Sequence, residues 1–421
     1  MIDGLIPRRP ICKSQIGVVP YRTVGENERM SESILNDAAI KAILAEPFGR
    51  FSDTEFSRRR AALTAVAQAQ DCEAVLIYGE QRSGTGVVWL TGWPTTTEAI
   101  VVFMPGQRDV LWVEHYNHVP NARTIARDAE IRWGERKGAK LPAEDMKRRG
   151  VKRVGIIGAL PWTKAALLSE AFELVDLNRE YSWLRIRKSD EEITWLRIGA
   201  AFSDLGIDAL LKHAKPGMTE RELGALVERD YHALGGATGI HFIGLTSMAH
   251  PDRCVPTQFH SSRKLEVGDA MTVEFTATFW DSPGQVLRTF AVGAEPTPLY
   301  QKLHDVAEAA FHAITGVLKA GVSAQDIVDA TGNIEEAGFT IYDDITHGMG
   351  GGYWQPVLGT KSRPAGPVPD IKLEANMAIV VQPNVITRDE KAGVQLGEMV
   401  RITPTGFERF HTAPWGFLRI G

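Results

Sequence analysis

The stretch from Gly268 to Gly293, GDAMTVEFTATFWDSPGQVLRTFAVG, constrains the fold more than any other part of the chain. Met271 to Phe279 alternates and is rich in β-branched and aromatic residues, the pattern of a half-buried strand. Asp281-Ser-Pro-Gly is turn chemistry, and Gln285 to Val292 returns as a second strand. Within these two strands Glu274 is the only carboxylate. An ionised carboxylate is costly to bury unpaired, so Glu274 needs a partner, a ligand or solvent.

A chain of 421 residues is too long for one ordinary core, so two domains are expected. Residues 1–50 hold Pro7-Arg-Arg-Pro10 and Val19-Pro20-Tyr21, the marks of an extended arm, and Ser31–Leu44 predicts a short helix. From Ser52 an α/β rhythm begins. A helix capped by Ser52 or Asp53 runs to Ala69. Strands follow at Ala74–Tyr78, Val87–Pro94, Ala99–Met104, Asp109–Val113 and Val154–Ile157, with a short one at Glu173–Asp176. Helices are expected near Ala143–Arg149 and from Thr163. Asn178–Lys188 is a boundary. Ser189-Asp-Glu-Glu then opens a long helix with acids at its positive end, and Thr219 with Glu222 forms a capping box for the next. Pro298–Leu318 and Ser323–Ala337 predict two amphipathic helices.

Several motifs in fixed order resemble one family. Arg187-Lys-Ser-Asp-Glu-Glu-Ile, Pro216-Gly-Met-Thr-Glu-Arg-Glu-Leu, the Gly268–Gly293 hairpin and His347-Gly-Met-Gly together are similar to the creatinase/aminopeptidase, or "pita-bread", family. Trp89-Leu-Thr-Gly92 resembles that family's Y-L-T-G motif. The resemblance covers roughly residues 50 to 421. It implies an α+β fold: a pita-bread domain over 181–421, a curved antiparallel sheet covered by helices, preceded by a smaller creatinase-like α/β domain over 51–180.

Family peptidases hold two metal ions with Asp, Asp, His, Glu and Glu. Aligned on Arg288-Thr289-Phe290, those positions fall here at Glu274, Gln285, His347 and Gln382, with the last at Gly397 or, after a one-residue slip, Glu398. The two family histidines fall near Thr257 and Trp354. Two dications need about four hard carboxylate donors, and Gln and Gly do not supply them. No metal and no cofactor are therefore expected. The resemblance then implies a metal-independent hydrolase like creatinase or ectoine hydrolase, cleaving a non-peptide C–N bond in a small cationic or cyclic amidine or amide metabolite. In this reading Glu274 is base or nucleophile, His347 is the proton shuttle, and His260 is a third catalytic candidate beside His241 and His250 in the same region. Gln285, Arg288, Tyr353, Trp354, Gln382, Glu398 and Trp93 are the substrate-binding candidates. A catalytically inactive pita-bread binding protein is the alternative from another class. A metal-dependent Xaa-Pro peptidase and a small-zwitterion lyase are further ones.

A net charge of −5 without a long basic run argues against nucleic acid as a partner. No apolar run reaches the ~18 residues of a membrane span, and no secretory leader pattern is present, so a cytoplasmic protein is expected. Cys12, Cys72 and Cys254 are odd in number and far apart, which suits buried, inert thiols. The family resemblance implies a homodimer whose N-terminal domain covers the partner's site, placing Trp93, His115 and Tyr116 near substrate.

Overall fold

The computed structural model describes residues 34–81 and 83–421. The arm motifs before residue 34, and Cys12, lie outside the described residues. Of the short helix expected over Ser31–Leu44, the first three residues also lie outside the described residues; a helix runs over Ala38–Ala45, capped by the Asp37 carboxylate.

The N-terminal unit is a six-stranded mixed sheet. Its strands are β1 (Ala74–Gly79), β2 (Ala99–Phe103), β3 (Val110–Val113), β4 (Glu130–Trp133), β5 (Arg153–Ile157) and β6 (Glu173–Asp176), in the order β4-β3-β2-β1-β5-β6. β1 to β3 are buried along their whole lengths because helices cover both faces, which is why they are continuous apolar runs. The helix Asp53–Ala69 starts at Ser52, whose hydroxyl accepts from Glu55 N–H. From its buried face Arg59 donates to the Trp89 carbonyl at 2.7 Å and to Glu192 at 3.1 Å, tying this unit to the next.

One expected strand is a helix. Gly86–Thr91 turns helically despite its β-branched residues and ends at Gly92 in the left-handed region. The Thr91 hydroxyl bonds back to the Val87 carbonyl. A Cβ at Gly86 would sit 2.7 Å from Ile77, so only glycine lets the turn lie on β1. The boundary segment is also helical, at Asn178–Ile186.

The C-terminal unit is a curled, mainly antiparallel sheet. Its strands are β7 (Ala237–Ser247), β8 (Asp269–Phe279), β9 (Ser282–Val292), β11 (Thr346–Met349), β12 (Tyr353–Leu358), β13 (Ala378–Val381) and β15 (Gly397–Ile402), in the order β12-β11-β13-β15-β9-β8-β7. β16 (Phe407–Arg409) pairs with β15, and β17 (Leu418–Ile420) lies parallel to β9. A separate two-stranded ladder joins β10 (Thr340–Ile341) to β14 (Val385–Ile386). The helices Asp190–His213 and Glu220–His232, both with capping boxes, pack Trp195, Ile198, Phe202 and Val227 onto Val273, Phe275 and Val286. Each such buried side chain contributes on the order of 1.5–3 kcal/mol. The helix Pro298–Val317 covers Ile379, Val381 and Val400 in the other half. The second helix expected there breaks into Ala324–Asp329 and Gly332–Glu336.

The central hairpin turns two residues earlier than its composition suggests. Phe279 pairs with Ser282, so Trp280 and Asp281 form the turn, with Trp280 at φ 54°. Pro283 and Gly284 belong to β9. A Cβ at Gly284 would lie 2.2 Å from the Ala200 backbone, so that glycine serves helix packing rather than the turn. Asp269 also belongs to β8, and Arg263 holds its carboxylate at 2.7 Å and 2.9 Å.

Candidate active site

Strand register decides which residues share a face. Glu274 lies opposite Leu287, and Leu287 opposite Gly397, so these three point to one side of the sheet. Gln285, two residues from Leu287, faces the same way. One residue along, Phe275, Val286 and Glu398 align on the other side, where Phe275 and Val286 meet the helices. The family position left open between Gly397 and Glu398 therefore falls at Gly397.

On the Glu274 face an amide ladder links two carboxyl groups. Gln285 Nε2 donates to Glu274 Oε1 at 2.8 Å and to Gln382 Oε1 at 3.2 Å. Gln382 Nε2 donates in turn to Asp344 Oδ1 at 3.2 Å. The Tyr353 hydroxyl donates to Asp344 Oδ2. The Tyr353 ring stacks on His347 with centroids 4.0 Å apart and planes at 20°. His347 comes from β11 and Tyr353 from β12. Between them Gly350 and Gly351 have positive φ, and a Cβ at Gly350 would lie 2.4 Å from Lys188. Glu274, Gln285, Asp344, His347 and Gln382 are buried, whereas Tyr353 is 54% exposed and forms the outer wall.

Burial dominates the electrostatics. It pushes Glu274 up to about 8, with Asp343 and Asp344 adding to the rise. It pushes Asp344 up to about 7, with Asp343 adding and the Tyr353 hydrogen bond opposing. It pushes His347 down to about 4, although the Gly348 carbonyl and Asp343 favour its charged form. Near neutral pH the site thus contains a neutral imidazole and two carboxyl groups able to carry protons.

The other expected site residues lie elsewhere. Arg288 is fully buried on the opposite face, donating to Glu398 Oε2 at 2.8 Å and to the carbonyls of Leu287, Gly397 and Pro414. Glu398 also accepts from Arg409, so both its oxygens are engaged away from the Glu274 face. His260 packs beside Gly224 and donates through Nε2 to the His241 carbonyl at 2.7 Å. His241 meets the Tyr231 hydroxyl at 2.7 Å, and His250 is exposed. Trp354 donates to the Gly350 carbonyl at 2.8 Å and meets Tyr181 edge-on, so it seals the junction of the two units rather than lining the ladder. Trp93 sits in the N-terminal core. Asp344 is the site residue that the sequence reading missed. Its one signal was the adjacent pair Asp343-Asp344 just before the His347 motif.

The residues do not fit the family's metal pair. Gln285 and Gln382 bring neutral amides, bonded to each other and to Glu274 and Asp344, where the family pair carries carboxylates. A Cβ at Gly397 would lie 2.3 Å from the Val381 carbonyl and 2.7 Å from Gln382 Cα, leaving no room for a carboxylate side chain. Among the described residues no three of His, Cys, Asp and Glu are grouped to hold an ion.

Residues 194–404 match the model of metallopeptidase family M24. An uncharacterised hydrolase/peptidase of Sinorhizobium fredii is 25% identical over 57% of this chain, which spans 60% of that relative's length. The Xaa-Pro dipeptidase of Pyrococcus horikoshii is 23% identical over 64% of this chain and 78% of its own. An Xaa-Pro dipeptidase structure from Bacillus anthracis superposes with a TM-score of 0.73 at 21% identity, covering 87% of this chain and all of that one. The X-Pro aminopeptidase of Thermotoga maritima gives 0.74 at 18% identity, covering 86% and 99%. The structural likeness establishes the pita-bread fold with its N-terminal α/β unit. The named activities overturn the expectation of a metal-independent hydrolase for non-peptide C–N bonds: these relatives are peptidases, not enzymes named for creatine or ectoine. Among the described residues no helix is long and apolar enough to cross a membrane.

Proposed function

The chain belongs to metallopeptidase family M24, and from that membership we propose that it is a hydrolase of peptide bonds in short peptides, with Xaa-Pro dipeptides the first substrates to test. The observation that carries this reading is the polar cluster of Glu274, Asp344, His347 and Tyr353 on the sheet face where the family places its chemistry. An inactive binding protein would have no need for buried, proton-holding carboxyl groups there, and apolar packing would be the less costly filling. Glu274, buried yet without an arginine or lysine partner among the described residues, is suited to exchange a proton with substrate.

The test is release of free amino acids from a panel of Xaa-Pro and other dipeptides, run with chelator and with added divalent metal. Cleavage by the native protein and a drop of about 10²–10⁴ in kcat for Glu274→Gln are expected. Absence of cleavage across the panel under both conditions overturns the proposal.

A further inference from the structure

Glu274 and Asp344 are held as a pair. One oxygen of each accepts an amide proton, through Gln285 and Gln382, and the two glutamines are bonded to each other. Side chains from β8, β9, the end of β13 and the loop before β11 thereby join the two carboxyl groups in one hydrogen-bonded chain. Their surroundings differ. Asp344 takes a second donor, the Tyr353 hydroxyl, at its other oxygen. Glu274 Oε2 takes none among the described residues. The titratable groups facing the pair are Asp343, His347 and Tyr353, and no lysine or arginine makes an ion pair with either carboxyl among the described residues. Two buried carboxyls with no cation between them do not both ionise readily, and donors favour the charge on the group that receives more of them.

We propose that Asp344 is a second catalytic carboxyl, the base partner of a protonated Glu274, and that Tyr353 is the positioning residue that keeps the negative charge on Asp344. This rests on the peptide-hydrolase reading. Asp344 takes a proton from water as the water oxygen bonds to the scissile carbonyl carbon and the C=O π pair moves onto the carbonyl oxygen. The C=O bond then re-forms and the C–N bond breaks, its electron pair going to nitrogen. Nitrogen receives the proton of Glu274. The products are a carboxylic acid and an amine; Asp344 is left protonated and Glu274 ionised. Exchange of that proton with solvent restores the starting pair. Tyr353, half-exposed, joins buried Asp344 Oδ2 to the outer edge of the site.

The experiment is the pH profile of kcat for peptide cleavage in the native protein, Asp344→Asn, Glu274→Gln and Tyr353→Phe. Asp344→Asn should lose about 10²–10⁴ in kcat and its residual activity should lack the acid limb, because the base is gone. Glu274→Gln should lack the alkaline limb. Tyr353→Phe keeps the ring on His347 but removes the donor, so its acid limb should move to higher pH with KM unchanged. A purely structural role would lower activity evenly and leave the limbs in place. Asp344→Asn within threefold of native kcat, or an unmoved acid limb in Tyr353→Phe, overturns the proposal. Should the native protein cleave no peptide, the hydrolase reading fails on its own, and the pair is then read by carbon-detected NMR titration of carboxyl-labelled protein. Two carboxyls that keep protons to near neutral pH, with the Asp344 titration falling in Glu274→Gln, support the pairing; ordinary, independent carboxylate titrations overturn it.

Discussion

Arg288 and Glu398 meet at 2.8 Å with neither side chain exposed, directly behind the strands that carry Glu274 and Gln285. Arg288 also donates to carbonyls of Gly397, Ala413 and Pro414, and so pins the C-terminal segment to β9 and β15. Removing one partner of such a buried pair leaves an uncompensated charge, at a cost of about 3–5 kcal/mol. Glu398→Gln should therefore lower the unfolding free energy from urea titration by that amount. Burial opposes the charge on Glu398, but Arg409 and Arg288 outweigh it and hold the group at about 2 against an ordinary 4.5. The stabilisation is thus complete above pH 4.5 and is lost as the pH falls through about 2. Urea titrations of both proteins across that window check this: the difference between them should shrink toward the acid end. A variant as stable as the native chain at neutral pH would make the pair dispensable.

Gly397 gives a second prediction, because its missing side chain is a steric fact. A Cβ there would press on backbone, the Val381 carbonyl at 2.3 Å, rather than on a flexible side-chain tip. Gly397→Ala should cost about 1–3 kcal/mol by overpacking. Gly397→Glu should cost more and should not create a metal site, even combined with Gln382→Glu. Thermal unfolding and calorimetric titration with divalent metal check both. A stable triple-carboxylate variant that binds metal stoichiometrically would show that the strands give way.

These two residues also show what a sequence can and cannot convey. Alternation around Glu274 revealed the central hairpin, and Ser189 with Glu192 marked the start of the long helix, because both signals are local and periodic. Whether Gly397 or Glu398 shares a face with Glu274 depends on the pairing of β15 with β9, and a slip of one residue exchanges the two faces. No local pattern specifies that register. Asp344 was hidden for a related reason. It precedes β11 in a loop where an acidic pair resembles solvated loop chemistry, and it joins the site through partners that strand pairing brings up, Gln382, 38 residues away, and Tyr353 on β12. The Gly86–Thr91 helix was missed because tertiary packing on β1 overrides the strand preference of its valines.

The raised carboxyls predict how stability depends on pH. Glu274 and Asp344 hold protons up to about 8 and about 7 in the folded protein, against ordinary values of 4.5 and 3.8 in the unfolded chain. Their contribution is complete below the unfolded values and is lost as pH rises through the folded ones, since the unfolded chain gives up its protons first. Glu274→Gln removes one of these two steps. Its urea midpoint should fall less than the native midpoint between about pH 5 and about pH 8.5, by a difference worth at least ~1 kcal/mol. Parallel midpoints across that range would place Glu274 in a more solvated setting than its burial implies.

His347 provides the last test. Its Nδ1 donates to the Gly348 carbonyl at 3.2 Å, which leaves the Nε2 lone pair as acceptor. Burial holds the ring at about 4 against an ordinary 6.5, and the Tyr353 ring shields one face. The unfolded chain takes up a proton below 6.5 that the folded chain refuses, so this residue's contribution to stability falls as the pH drops from 6.5 toward 4. At neutral pH His347 therefore rests as a neutral ring with an acceptor nitrogen. Long-range proton–nitrogen NMR should show a neutral Nδ1–H tautomer unchanged from about pH 5.5 to 9. Tyr353→Ala opens the ring to water and should move the titration up toward the ordinary value. A native His347 that titrates near 6.5 would return it to the role of proton shuttle and would mean that the Tyr353 wall stands open in solution.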